Sequence, residues 1–204
     1  MAEILADLPV TAIAEFLGAK HVMAPDIRRV APAPRVVGPA VTCHCPAGDN
    51  MPLHAALAAA APGSVIVVAS DRRTGTGLWG ELATRSARAR GVIGAIADGG
   101  VRDVATIADL SFPVWSRFVS PLGARKVVAE GLVNVDVSCG GVVVRPGDYV
   151  VGDDDGIVVV PVERAYDAAQ SASARVALER AVHDDLANGA LPLEALARHQ
   201  KSAR

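Results

Sequence analysis

The spacing of apolar residues changes period along the chain, and each change predicts an element. Residues 2–18 carry a helical pattern that closes at Gly18. Pro25, Pro32, Pro34 and Pro39 then mark an extended stretch in which a helix cannot propagate. Val36 to Cys45 reads as a strand, Pro46-Ala47-Gly48-Asp49-Asn50 as a turn, and Pro52 to Ala61 as an Ala-rich helix stopped by Pro62-Gly63. A fully apolar strand over Ser64 to Ala69 is followed by a loop, Ser70 to Gly77, and a helix over Leu78 to Arg90. Val92 to Ala97 is a second apolar strand, Asp98-Gly99-Gly100 a tight loop, Val101 to Leu110 a helix, and Pro113 to Arg117 a short strand. Beyond residue 125 the texture turns antiparallel. Leu132 to Val137 alternates, Val142 to Arg145 is apolar, and Tyr149-Val150-Val151 with Ile157 to Val160 predicts a hairpin; turns fall at Gly140-Gly141, Pro146-Gly147-Asp148 and Asp154-Asp155-Gly156. Val162 to Asn188 is a long helix rich in Ala, Arg and Glu. The pattern predicts one α/β domain over residues 1–204, with a parallel βαβα centre, antiparallel strands and a long C-terminal helix.

Composition narrows this picture. Half of the 204 residues are hydrophobic but only 3% are aromatic, so the core must be built from Ala, Val, Leu and Ile, as Val-rich buried strands require. The net charge of -2, with no block of Lys or Arg, argues against nucleic acid as a partner. No long apolar run lacks Pro, Gly or charge, which argues against a membrane span. The opening MAEILADL has acids where a secretory signal needs a basic start, and three cysteines suit a reducing, cytoplasmic setting.

Candidate chemistry concentrates in the centre of the chain. Two parallel strands joined by one helix are neighbours in a right-handed unit, and the loops after them open at the same end of the sheet, where α/β proteins bind ligands. The starts of the helices over 78–90 and 101–110 therefore face one crevice. Such starts expose unpaired N–H groups and a positive dipole end. Glu81, Arg102 and Asp103 fall there. Arg102 suits a carboxylate by two parallel hydrogen bonds, and Asp103 is a hard oxygen ligand. Mg²⁺ takes one or two protein carboxylates and keeps several waters. The plainer reading of the same residues is helix-start acids with a surface ion pair.

Gly80-Glu81-Leu82-Ala83-Thr84, followed by Ala97-Asp98-Gly99-Gly100-Val101-Arg102-Asp103, resembles the RraA-like family. Supporting segments are Val37 to Thr42, Pro46 to Asn50, Pro113-Val114-Trp115 and Val150 to Pro161, so the resemblance spans residues 20–165. That family includes metal-dependent 4-hydroxy-4-methyl-2-oxoglutarate / 4-carboxy-4-hydroxy-2-oxoadipate aldolases and protein regulators of ribonuclease E. The resemblance implies a layered β/β/α swivelling-type domain and a pyruvate-forming lyase with oxaloacetate decarboxylase side activity. It also implies Mg (or Mn) as cofactor and a homotrimer or homohexamer. Asp103 would bind the metal, Arg102 would hold the carboxylate and oxo end of a 2-oxo acid, and the N–H groups of Leu82 and Ala83 would bind its carboxylate. Glu81 would hold or activate a metal-bound water, and Glu179 is the candidate for an acid reaching in from a neighbouring subunit. Three positions depart from the aldolases: Glu81 stands for Asp, Thr106 for a second acid, and Ala14-Glu15-Phe16-Leu17 for a Ser-Asp-Ala-Leu-like stretch.

Other constellations carry less. A Schiff-base aldolase needs a buried Lys; only Lys20, Lys126 and Lys201 exist, and Lys126 alone is central. Cys43-His44-Cys45 suggests zinc, but on a strand the two cysteines face opposite to the histidine. Asp153-Asp154-Asp155-Gly156 lacks the spacing of a calcium loop and fits a hairpin turn. Asp49, Asn50 and His54 sit at a turn and a first helical turn, where capping is the plain role; His54 is also a candidate substrate contact at the crevice mouth. Asp98 either shapes its glycine turn or touches the site. The loop 70–77 lacks the glycine spacing of nucleotide-binding loops.

Overall fold

The computed structural model describes residues 1–71, 74–127 and 132–200. Two residues of the 70–77 loop, 72 and 73, and Lys201 lie outside them. Helices α1 (Ala2–Ala6) and α2 (Val10–Leu17) precede strands β1 (Arg28–Arg29) and β2 (Val36–Cys45). Helix α3 (Met51–Ala59), strands β3 (Val65–Ser70) and β4 (Gly77–Trp79), helix α4 (Glu81–Ala89), strand β5 (Gly94–Val101), helix α5 (Val104–Asp109) and strand β6 (Val114–Val119) form the centre. Strands β7 (Leu132–Val133), β8 (Val137–Cys139), β9 (Val142–Val144), β10 (Tyr149–Gly152) and β11 (Ile157–Val160) lead to helices α6 (Ala165–Ala187) and α7 (Pro192–Gln200).

Among the described residues the main sheet runs β1-β6-β5-β3-β2-β10-β11, with β4 added to β5 and β7 to β2. The pairs β2–β3, β3–β5, β4–β5 and β5–β6 are parallel, and the remainder of this sheet is antiparallel. One sheet face packs on α3, α4 and α5 through Leu53, Ile66, Val68, Trp79, Ala87 and Ile107. The opposite face packs on the separate β8–β9 pair through Val65, Val67, Ile96, Trp115, Val142 and Val144. A third cluster buries α1, α2 and the first half of α6 against Val151, Val158 and Val160. This is the predicted α/β layering, with antiparallel strands and a long C-terminal helix. No helix among the described residues is long and apolar enough to cross a membrane.

Several boundaries differ from the sequence reading, each for a local reason. The helix predicted over 2–18 is two helices, because Pro9 has no N–H to donate and disfavours helical backbone at Leu8. Residues 77–79 form β4 rather than the start of a helix; Gly80 is extended, and α4 begins only at Glu81. Asp98-Gly99-Gly100 is not a loop, since β5 runs through it to Val101. Its glycines answer close packing: a Cβ on Gly100 would lie 2.5 Å from the Thr76 carbonyl oxygen, and one on Gly99 2.7 Å from Leu78 Cδ1. The helix predicted from 101 starts at Val104. The alternating run 132–137 is broken by Asn134, whose φ is 53°. Strand β1 and helix α7 were not predicted.

Candidate active site

The C-terminal ends of β4 and β5 lie side by side, pairing Trp79 with Val101, and the Arg102 N–H donates to the Trp79 carbonyl at 3.0 Å. The two chain segments that leave these strands therefore start in contact. Asp103 takes a left-handed backbone, with φ 58° and ψ 37°, and stands at the N-cap of α5 without capping it. Its Oδ2 instead accepts the backbone N–H of Glu81 at 3.1 Å, at the start of the other helix. Arg102 Nε lies 3.3 Å from the same oxygen. Both side chains stay accessible, at 39% and 35%.

Glycines make room for this arrangement. A Cβ on Gly80 would fall 2.8 Å from Asp103 Oδ2 and 2.9 Å from Arg102 Cγ; one on Gly123 would fall 2.7 Å from Arg102 Nη1. Gly77 meets the Cβ of Arg102 from a third side, at 3.3 Å from where its own Cβ would be. The segment around Gly123 is stitched across the strand ends: Gly77 donates to the Leu122 carbonyl, Arg125 to the Gly48 carbonyl, and Asn50 to the Arg125 carbonyl.

Arg102, Glu81, Leu82 and Ala83 line one cleft together with Asn50, His54 and Lys126. The N–H groups of Leu82 and Ala83 belong to the first turn of α4, which has no intrahelical acceptors for them. Asn50 does not cap α3: its Nδ2 donates to the Leu78 carbonyl at 2.7 Å, and its Oδ1 is buried without a partner among the described residues. His54 Nε2 is buried and unpartnered as well. Burial, and secondarily the nearby Lys126 charge, hold the His54 pKa below its usual value. Two orphaned polar atoms at one cleft mark a place where a polar ligand restores lost hydrogen bonds.

Of the residues singled out from the sequence, the structure places Arg102, Glu81, Leu82, Ala83 and His54 on one cleft, with Asp103 beside it against Arg102 and the Glu81 N–H. Sequence reasoning gave Asn50 the wrong task and weighed Lys126 only as an imine former. Lys126 is exposed, whereas an imine-forming lysine needs burial. The Glu81 carboxylate turns along its helix to Arg85 Nε at 2.7 Å, so its closest tie to Asp103 is through its backbone. Glu179 lies elsewhere, paired with Arg175, which also meets Glu15 of α2. Asp98 faces away from the cleft, bound to Arg117 and to the Gly140 N–H. Cys43 and Cys45 are buried free thiols, and His44 pairs with Asp71.

The donor set fits a hard cation of the Mg²⁺ kind. Among the described residues no three His, Cys, Asp or Glu side chains converge, so no all-protein cage of the zinc type forms there. Two accessible carboxylates, Glu81 lining the cleft and Asp103 beside it, make a donor set of the size that suits Mg²⁺ retaining several waters.

A model of the RraA-like family, described as Aldolase/RraA, matches residues 5–159. The chain belongs to the RraA-like family. Among its RraA-like relatives is a Halalkalibacterium halodurans protein named "Putative 4-hydroxy-4-methyl-2-oxoglutarate aldolase", 33% identical over 183 residues, covering 88% of this chain and 87% of that protein. Streptomyces coelicolor RraAS2, described as an unusual member of the RNase ES inhibitor RraA protein family, superposes with a TM-score of 0.77 at 30% identity, over 88% of this chain and 93% of that one. A Pseudomonas syringae protein of uncharacterised role superposes with a TM-score of 0.83 at 26% identity, over 95% and 91% of the two chains. The RraA-like match takes in β4, β5 and both helix starts, so the cleft lies wholly inside the family region.

Proposed function

We propose that the chain is a divalent-metal-dependent lyase that releases pyruvate from a 4-hydroxy-2-oxo acid. Its substrate would be 4-hydroxy-4-methyl-2-oxoglutarate or 4-carboxy-4-hydroxy-2-oxoadipate, with oxaloacetate decarboxylation as a side activity. The observation that carries this reading is that Arg102 lines one cleft with the first turn of α4, while the Asp103 carboxylate meets both Arg102 and the Glu81 N–H beside it. The name of the Halalkalibacterium relative supports the same class of reaction.

In this reading the Leu82 and Ala83 N–H groups and the positive end of α4 bind the substrate carboxylate. Arg102 lies against the oxo oxygen. Asp103 would hold the Mg²⁺ or Mn²⁺, which when bound supplies further stabilisation of negative charge on that oxygen. The C4 hydroxyl gives its proton to a base, for which Glu81 is the acid lining the cleft. The C3–C4 bond then breaks, its electron pair passes into a pyruvate enolate, and C4 leaves as the carbonyl of the second product. Protonation at C3 completes pyruvate. Loss of CO₂ from oxaloacetate breaks the equivalent bond and yields the same enolate, and Arg102 serves both. Asn50, His54 and Lys126, which line the same cleft, would meet the polar groups of the substrate.

Leu82, Val119, Leu122, Val127 and Leu132, on segments around the cleft, are each more than half exposed. They support a homotrimer or homohexamer whose subunits close over the site, with Glu179 of a neighbour supplying another carboxylate. The free cysteines suit a cytoplasmic setting.

The test is pyruvate release from oxaloacetate and from 4-hydroxy-4-methyl-2-oxoglutarate, with Mg²⁺ and with EDTA. Release should require the metal and disappear in Asp103→Ala. Metal-independent release, or an unimpaired Asp103→Ala enzyme, would refute the reading. A second reading is favoured by the likeness to Streptomyces RraAS2: a regulator acting on a ribonuclease of the E type by protein binding. Inhibition of such a ribonuclease by a chain inactive on both substrates would establish it.

A further inference from the structure

A second cavity, of about 410 Å³, lies between the turn that carries Lys20 and His21, the end of β9, and the turn that precedes α6. It shares no residue with the Arg102 cleft. Lys20, Arg145 and Arg164 line it, with Asp148 and Glu163 as the acids and His21 between them.

The charges in this cavity do not balance internally. Asp148 is buried, and its carboxylate is already engaged by the Arg145 N–H at 2.9 Å and the Val162 N–H at 3.3 Å. Among the described residues Arg145 meets Glu163 at 3.6 Å and Asp136 at 3.7 Å, all three side chains exposed, so these pairs contribute little. Among the described residues, Lys20 and Arg164 have no carboxylate within 4.0 Å. The Arg164 guanidinium is held in place differently, lying 4.9 Å above the ring of Phe16. A guanidinium ordered on an aromatic face keeps its N–H fork free. His21 adds an orphan: its Nε2 is buried with no partner among the described residues. Burial first, then Lys20 and Arg164, hold the His21 pKa below its usual value, against the opposing pull of Asp148 and Glu163.

We propose that this cavity binds a phosphate group, as inorganic phosphate or as a small phosphomonoester. Three cationic side chains from separate chain segments suit a tetrahedral dianion, which accepts hydrogen bonds from several directions. The volume exceeds that of phosphate alone and leaves room for a small ester. A bound dianion would satisfy the imidazole, compensate Lys20 and Arg164, and raise the His21 pKa.

The experiment follows the His21 ring signal by NMR, assigned with His21→Gln. Inorganic phosphate and glycerol 3-phosphate are titrated in turn, with chloride holding ionic strength constant. The expected result is a saturable shift with an upward move of the His21 pKa, and affinity at least tenfold weaker in Arg164→Gln and in Lys20→Gln. Lys20 is exposed, so its variant keeps the test open if Arg164→Gln fails to fold. Tighter binding of the ester would identify a phosphorylated metabolite, and equal binding free phosphate. No saturable shift with either, or undiminished binding in a folded variant, overturns the proposal.

Discussion

At the scale of single residues, Asp103 carries a conformational cost that no capping hydrogen bond offsets. A left-handed backbone is disfavoured for residues other than glycine by about 1–2 kcal/mol, although Asp and Asn tolerate it better than most. An Asp at a helix N-cap normally offsets such a cost by capping, yet this one reaches across to Glu81. Asp103→Asn keeps the acceptor oxygen and the tolerance of left-handed backbone but removes the charge. Its unfolding free energy should stay within about 1 kcal/mol of wild type, while metal-dependent pyruvate release falls at least a hundredfold. A charge-neutral variant that keeps its activity would show that Asp103 serves only to fix the Glu81 N–H. Gly123 offers a parallel case. Gly123→Ala puts a methyl group 2.7 Å from Arg102 Nη1, and a flexible side chain can yield without unfolding the chain. The expected outcome is an unchanged melting temperature with impaired turnover, measured on the same preparation.

At the scale of elements, the parallel centre was legible because Val- and Ile-rich runs bounded by Gly and Pro signal buried strands wherever they occur. The same signals misled at Asp98-Gly99-Gly100. Glycine there answers the nearness of Thr76, Leu78 and Phe118, contacts that a linear reading cannot supply. Asn50 and Lys126 escaped for a related reason, since their place at the cleft depends on the 120–127 segment crossing the strand ends. With β5 continuous, Asp98 acquires a structural task. Its carboxylate joins Arg117 of β6, which also meets Asp26, and accepts the Gly140 N–H at 2.7 Å. Arg117 is only 9% exposed, and the Asp98 hydrogen bond raises its pKa against the effect of burial. Asp98→Ala leaves a buried guanidinium short of a partner and an N–H without an acceptor. Loss of about 3 kcal/mol is expected, a fall in Tm of roughly 6–12 °C. A shift under 2 °C in a thermal melt would show that Asp26 alone suffices for Arg117.

At the scale of the whole molecule, the question is whether one chain holds a complete site. The Arg102 cleft offers Glu81 as its lining acid, and that carboxylate is engaged by Arg85. Glu179 sits on the outer part of α6, a helix whose first half is buried against α2 and whose second half packs on α7. There Glu179 pairs with Arg175, which also meets Glu15 of α2, and it does not line the Arg102 cleft of its own chain. If Glu179 acts across a subunit boundary, two defects can complement each other. Asp103→Ala and Glu179→Gln chains should each be inactive alone. Unfolded together, refolded and reassembled at equal amounts, they create interfaces in which an intact Asp103 meets an intact Glu179 from the next subunit. Random assembly in a closed ring gives about a quarter of the sites that composition. Recovery of roughly that share of wild-type activity, in a species that light scattering identifies as a trimer or hexamer, would make the site a property of the assembly. No recovery in a mixed oligomer, or a fully active Glu179→Gln chain, would return the whole chemistry to residues of one subunit.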